Sequence, residues 1–299
     1  MLGHALQDAL RTGAGLLLPE VRDRLRLSLG TGVADARGAP VPTAPRETPD
    51  LYYTLFAQWL CEALEVPADR EILRDALARQ PARGLDPVHR ACHACLSARA
   101  GSGPRARRLR LLCGLPRALL AGGREPYALF VAALTLEQCG VRPCWFALAW
   151  WAPWNWGTTP QAAAVLAVQA LAGAALNRGE RAQAWLLDQR EPAGGFRASP
   201  AARGPDLLST ATARFALALT GWTEPDDDAR RLAAFVDACR TPDGLWAGHP
   251  DLARGDVEYA FYALLSLGSV FSVERSALSV ERSDSRGNGF APSVAAPLE

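Results

Sequence analysis

One short segment of the chain carries side chains that commonly bind zinc. It runs from residue 89 to residue 95 and reads His-Arg-Ala-Cys-His-Ala-Cys. On a helix, His89, Cys92 and His93 would share one face, because they lie three and four residues apart. A structural zinc site takes four ligands, and no fourth is evident. Cysteine is also common as a small buried residue. The sequence therefore predicts no cofactor, with zinc and magnesium left open and this cluster as the candidate metal site.

Three acidic residues are candidates for catalysis. Asp50, Asp206 and Glu258 each stand at the start of an apolar stretch that is typical of a buried helix. A carboxyl group held in an apolar cavity has a raised pKa, and in its protonated form it can act as an acid. At a helix start, an acidic side chain can instead accept hydrogen bonds from free backbone amides. Both roles stay open on the sequence alone.

Aromatic side chains are candidates for ligand binding. Trp150 and Trp154 belong to a group of six Trp and Phe residues between positions 145 and 156. Four tyrosines fall at the starts of predicted helices: Tyr52, Tyr53, Tyr127 and Tyr259. Aromatic rings can wall an apolar cavity and stabilise cations through their π faces. Tyrosine hydroxyls can orient a polar head group. Packing of the helix ends explains the same residues equally well.

Composition excludes several functional classes. The chain has 299 residues, of which 49% are hydrophobic, and it can bury the core of one large domain. A net charge of +1 gives no electrostatic reason to expect a nucleic-acid partner. All 32 basic residues are arginines. Schiff-base chemistry and phosphate-binding P-loops are therefore excluded, since both require a lysine amine.

The sequence favours a cytoplasmic protein without a membrane segment. The longest apolar runs, such as residues 161–176, are too short and too rich in Ala and Gln to span a bilayer. The N-terminal stretch carries acidic side chains and lacks a signal-peptide cleavage pattern. The seven cysteines are scattered and odd in number, which indicates free thiols in a reducing compartment.

An internal repeat organises the C-terminal part of the chain. The segment Asp188–Phe196 superimposes without gaps on Ala238–Trp246, fifty residues later. A third copy stands near the N-terminus, where Pro49–Ala57 matches Pro205–Ala213. In each unit an amphipathic helix ends at a Gly-rich turn, a loop follows, and an Asp starts an apolar helix.

Amphipathic helices that alternate with apolar ones predict a two-layered helical ring. The fold class is therefore predicted to be all-α, an α/α toroid of about six helical hairpins over residues 1–271. Residues 272–299 are predicted to be a disordered tail. No segment has a convincing strand pattern. The predicted helices lie near residues 4–28, 50–65, 68–79, 87–99, 105–120, 125–139, 143–152, 160–176, 179–190, 206–220, 226–240 and 256–271.

The repeat unit resembles a known superfamily. The segment Ala184–Leu219 contains a Gly-Gly-Phe turn followed by Asp-Leu-Leu-Ser-Thr at a helix start. This combination is similar to the repeat of protein prenyltransferase β-subunits and of squalene- and hopene-type cyclases. The resemblance implies that the inner helices line a deep apolar cavity that holds an isoprenoid chain.

The superfamily's catalytic residues carry over poorly. Aligning the helices places Ser209, Ala211 and Tyr259 where the resemblance expects the Asp, Cys and His ligands of zinc. Arg203 matches an arginine that contacts the lipid diphosphate, whereas Asp206 stands in the place of a lysine. The acid motif of the cyclases keeps its first Asp and its Thr but lacks the middle acid.

Three functions remain open on the sequence. The first is an enzyme that acts on an isoprenoid without the usual zinc site. The second is a non-catalytic toroid that binds an apolar small molecule or a protein partner. The third is an α/α-barrel glycosidase, which needs two carboxylates beside a sugar cleft. The Gly-Gly-Phe repeat favours the isoprenoid superfamily over the glycosidase.

Overall fold

The computed structural model describes residues 2–41, 48–101, 134–140, 144, 155–173 and 177–269. These residues are mostly helical, which confirms the all-α class. The predicted tail and the predicted helices near 105–120 and 143–152 lie outside them, apart from Cys144. The helices are α1 (Leu2–Leu16), α2 (Pro19–Leu29), α3 (Leu51–Ala63), α4 (Arg70–Arg79), α5 (Pro87–Arg99), α6 (Thr159–Ala172), α7 (Asn177–Asp188), α8 (Leu207–Leu219), α9 (Asp226–Ala238) and α10 (Val257–Gly268).

The prediction of a single helix over residues 4–28 is wrong, because the helix is interrupted between α1 and α2. Leu18 has an extended backbone, with φ of −55° and ψ of 141°, and Pro19 begins α2. Proline disfavours a helical conformation in the residue before it and has no amide to donate. At the first position of a helix neither property carries a cost.

Aspartate side chains cap the starts of α3 and α8. Asp50 Oδ1 accepts hydrogen bonds from the amides of Tyr52 (2.8 Å) and Tyr53 (3.1 Å) at the start of α3. Asp206 Oδ1 accepts one from Ser209 N at 2.8 Å. The predicted capping role is therefore present at the first turn of these helices.

The Gly turns of the two C-terminal units make the same contacts at positions fifty residues apart. In one unit Phe196 pairs with Arg190 and with Asp206, and in the other Trp246 pairs with Arg240 and with Asp256. The first unit extends this pairing into two short antiparallel strands, β1 (Phe196–Arg197) and β2 (Pro205–Asp206). The expectation that the chain has no strand was wrong, because strands of two residues are too short to show an alternating pattern.

Backbone hydrogen bonds link the starts of α6, α8 and α10 to loops of other repeat units. In each case the first amide of the helix donates to a loop carbonyl. The three bonds run from Thr159 N to Ala198 O (2.8 Å), from Leu207 N to Gly248 O (3.0 Å) and from Val257 N to Gly38 O (3.0 Å). The last bond joins the final helix to the loop that precedes α3. The two ends of the described chain are therefore adjacent.

The helices fall into two sets by their burial. The apolar helices, which we call the inner helices, are successive neighbours in the order α6, α8, α10, α3 and α5. The helices α7, α9, α4 and α2 contact α6, α10, α5 and α3 respectively. In α9 the buried stripe contains Leu232, Phe235 and Val236, and the other side faces solvent. Helix α8, by contrast, is buried on nearly all sides.

Helix α1 and helix α10 cross with their backbones in contact. A Cβ atom on Gly13 would lie 2.0 Å from the carbonyl oxygen of Leu264. A Cβ atom on Gly268 would lie 1.8 Å from the carbonyl oxygen of Ala9. Any side chain at either glycine would force the helices apart. The crossing therefore depends on two glycines, one from each end of the described chain.

Replacing one of these glycines should loosen the crossing. We expect Gly13→Ala to lower the free energy of unfolding by about 1–3 kcal/mol, the usual cost of overpacking. Gly15→Ala is the matched control, because it lies on the same helix with no atom within 4 Å of its added Cβ. It should raise the free energy of unfolding by about 0.5–1 kcal/mol. Urea unfolding followed by circular dichroism measures both, and equal midpoints for the two variants would contradict the packing described.

Candidate functional site

A cavity of about 120 Å³ lies between the inner helices and α1. Its walls come from α1, α3, α5, α6, α8, α10 and the helical residues 134–138. Most of the lining is aliphatic or aromatic. The aromatic residues are Tyr52, Phe56, Trp59, Phe215, Phe261 and Tyr262. An apolar cavity of this kind is the usual form of a small-molecule site.

Aromatic rings from α3 and α10 hold one another in place along one wall. The Phe56 ring centroid lies 5.0 Å from that of Tyr52 and 5.0 Å from that of Phe261, both in edge-to-face geometry. The Trp59 ring lies 5.3 Å from Phe261. Such pairs are worth about 0.5–1.5 kcal/mol each beyond the area they bury. The wall is therefore a preorganised surface of π faces and edges.

Glu258 is the acid that contacts this wall. Tyr52 Oη donates a hydrogen bond to Glu258 Oε1 at 2.6 Å, and Tyr52 itself lines the cavity. Burial raises the pKa of Glu258, and the neighbouring Asp256 carboxyl raises it further. Hydrogen bonds from Tyr52 and Tyr262 act against this rise. The carboxyl group of Glu258 therefore lies next to two tyrosines that line the cavity, Tyr52 and Tyr262.

The other tyrosines at the starts of α3 and α10 lie among carboxyl groups. Burial raises the pKa of Tyr53, and so do the charges of Asp256, Glu258 and others nearby. The pKa of Tyr259 is raised by burial and then by Glu258 and Asp256. The end of the inner helices beside Tyr52 therefore carries negative charge.

The other predicted catalytic and ligand-binding residues that the structure describes do not line the cavity. Asp50 and Asp206 cap helices, and burial raises the pKa of Asp206. Arg203 is exposed to solvent in the loop before β2. Tyr127, Trp150 and Trp154 lie outside the described residues. Of the three predicted acids, Glu258 is the one that accepts a hydrogen bond from a side chain of the cavity wall.

The predicted metal ligands do not converge on one point. The His89 ring lies between two carboxylates, with Nδ1 2.6 Å from Asp86 and Nε2 3.6 Å from Asp50. Cys92 lines the cavity, and burial raises the pKa of its thiol to about 12, which disfavours the thiolate form that binds metals. No group of three His, Cys, Asp or Glu side chains suited to a metal ion exists among the residues that the structure describes.

Several cavity residues escaped the sequence analysis. Phe56 and Trp59 follow Tyr52 at intervals of four and three residues, which places all three on one face of α3. Phe261 and Tyr262 lie opposite them on α10. An aromatic stripe at helical spacing is available in the sequence, but it indicates a packed core as readily as a cavity.

Comparison with known proteins finds no family that matches this chain. No curated protein matches it either. No helix within the described residues combines the length and the apolar character needed to cross a membrane.

The buried aspartate cap of α10 should make stability depend on pH. Burial raises the pKa of Asp256, and its side chain accepts a hydrogen bond from Tyr259 N at 2.9 Å. Because the folded-state pKa is above the unfolded value of about 3.9, the stability that Asp256 contributes is present at low pH and is lost as pH rises through the folded pKa.

Asp256→Asn should preserve the cap, since Asn and Asp are nearly equal as caps, and should remove this loss. We expect the melting temperature of the variant to rise relative to the wild type between about pH 4 and pH 7. Asp69→Asn, at the exposed cap of α4, is the control and should show no such trend. A constant difference between wild type and Asp256→Asn across this range would refute the prediction.

Proposed function

We propose that the helices form an α/α toroid similar to that of prenyltransferases and squalene-type cyclases. Support comes from the neighbour order of the inner helices and from the contacts that α7, α9, α4 and α2 make with them. The hydrogen bond from Val257 N to Gly38 O has the same pattern as the bonds between the other units. Through this bond, the loop that precedes α3 follows α10 in the order of neighbouring units, as a closed ring requires.

The function that fits this site best is the binding of a short apolar ligand, isoprenoid in character, in the central cavity. The observation that carries the proposal is the aromatic cavity enclosed by apolar helices. Protein cores are normally packed without voids larger than a water molecule. A cavity bounded by Tyr52, Phe56, Trp59, Phe261 and Tyr262 therefore suits a ligand better than a purely structural role.

The size of the cavity limits the ligand. It measures about 120 Å³, while an apolar cavity of about 150 Å³ is enough to hold benzene. A ligand of one isoprene unit, with five carbon atoms, matches this space. Longer chains would require side chains to move, so the full length of squalene fits the cavity poorly.

Binding without the superfamily's zinc site agrees with the residues present. Ser209 and Ala211 are buried in α8, and Tyr259 stands in the first turn of α10. None of the three is a usual zinc ligand. The apolar walls alone provide the main attraction, at about 25 cal/mol for each Å² of apolar surface buried.

Glu258 favours catalysis as a second candidate function. Its hydrogen bond to Tyr52 and its raised pKa place a potential proton donor beside the cavity. Incubation with short polyprenyl diphosphates and with squalene, with and without zinc or magnesium, tests for turnover. Ligand-induced thermal stabilisation without turnover would leave a non-catalytic binding module.

A chain-length series tests the binding proposal. We expect dimethylallyl alcohol to raise the melting temperature and to bind measurably by calorimetry, whereas geraniol and farnesol should bind progressively more weakly despite their larger apolar surface. The physical reason is the volume available within the walls.

Filling the cavity should abolish this binding. Ala164 lines the cavity from α6, so Ala164→Leu should weaken the binding of dimethylallyl alcohol at least about tenfold. It should not incur the cost of about 1–3 kcal/mol that overpacking a filled core carries. Ala170→Leu, on the same helix but outside the cavity lining, is the matched control. Equal binding by both variants would place the ligand elsewhere.

A further inference from the structure

The four carboxyl groups near the starts of the inner helices differ in their charged neighbours. Asp50 lies 3.6 Å from His89 Nε2. The charge of His249 acts against the rise in the pKa of Asp206, and the charge of Arg254 acts against the rise in the pKa of Asp256. Among the described residues no cationic side chain acts on Glu258, whose neighbours are two tyrosines and Asp256. Within the part of the chain that the structure describes, Glu258 is thus the member of this group without a nearby positive charge.

A buried carboxylate normally has a cationic partner, because removing a charge from water is costly unless it is paired. Glu258 is half-buried and bonded to Tyr52, which lines the cavity. Tyr262, which also donates to Glu258, lines the cavity as well. A positive charge on a ligand would therefore come nearest to Glu258 on the cavity side of these two rings.

The aromatic wall suits the same charge. The rings of Tyr52, Phe56 and Tyr262 form a continuous cluster with centroid separations of 5.0 Å and 5.8 Å about Phe56. Cations are attracted to the faces of such rings, and clusters of aromatic side chains are the common means of binding ammonium groups. Apolar walls with an anionic end are a poor environment for a diphosphate, which the nearby carboxylates would repel.

We propose that the ligand of this cavity carries a cationic head group, an ammonium on a short apolar chain, held against Tyr52 and Tyr262 with Glu258 as its counter-ion. This inference rests on the proposed function, since it names the chemical class of ligand for the same cavity. Diphosphates and other anions are excluded by the same carboxylate.

Three probes with the same five-carbon chain test the inference: dimethylallyl alcohol, dimethylallyl diphosphate and the corresponding primary amine, 3-methylbut-2-en-1-amine. With the wild-type protein, calorimetry should show the amine binding at least about tenfold more tightly than the alcohol, and the diphosphate binding most weakly. If the alcohol binds as tightly as the amine, the cationic head group is wrong and the apolar-ligand function stands. If none of the three binds, the proposed function itself fails.

The variant Glu258→Gln separates charge from shape. It should reduce the affinity for the amine to that for the alcohol and leave the binding of the alcohol within about threefold. Glu71→Gln, at an exposed position of α4, is the control and should change neither. Loss of alcohol binding together with amine binding in Glu258→Gln would indicate a purely structural role and overturn the proposal.

The wild-type protein gives an independent measurement that needs no variant. Lowering the pH protonates Glu258, which faces Tyr52, Tyr262 and Asp256. The advantage in affinity of the five-carbon amine over the alcohol should therefore decline as pH falls. The decline should occur at a higher pH than an ordinary glutamate would give, because burial favours the protonated form. A ratio that does not change between pH 7 and pH 4 would count against Glu258 as the counter-ion.

Discussion

The contact between helix α1 and helix α10 is the constraint on which the rest of this structure depends. Gly13 and Gly268 let the two backbones touch, and the loop carbonyl of Gly38 accepts the first amide of α10. These contacts join the two ends of the described chain. The cavity is bounded on one side by α1 and on another by α10. Without this junction, the aromatic residues of α3 and α10 would not enclose a common space.

Acidic residues at the starts of the inner helices show how position decides chemistry. Asp50, Asp206 and Asp256 use a carboxylate oxygen to accept backbone amides, so their lone pairs are partly committed to structure. Glu258, two residues after such a cap, has a longer side chain and bonds instead to Tyr52. Its carboxyl group is available for chemistry because its neighbour already caps the helix.

The proposed resemblance to prenyltransferases and cyclases concerns the scaffold more than the chemistry. In the zinc-dependent members that the resemblance invokes, three ligands gather at the starts of two inner helices. Here the corresponding positions hold Ser209, Ala211 and Tyr259, and Tyr259 lies near several carboxyl groups. This difference is the reason for proposing a head group other than the diphosphate. A shared arrangement of helices does not by itself determine the reaction.

The sequence by itself determined the local features of this protein. Helix caps such as Asp206 follow from hydrogen bonds within a few residues, and the apolar stripe of α9 follows from helical spacing. Both were therefore predictable from neighbouring residues. The break at Leu18 was also encoded locally, by Pro19, and was overlooked. The tertiary structure alone decided which residues form the site. Tyr52 and Glu258 lie 206 residues apart in the chain. Their hydrogen bond exists because α3 and α10 pack together, a long-range contact that no local pattern specifies.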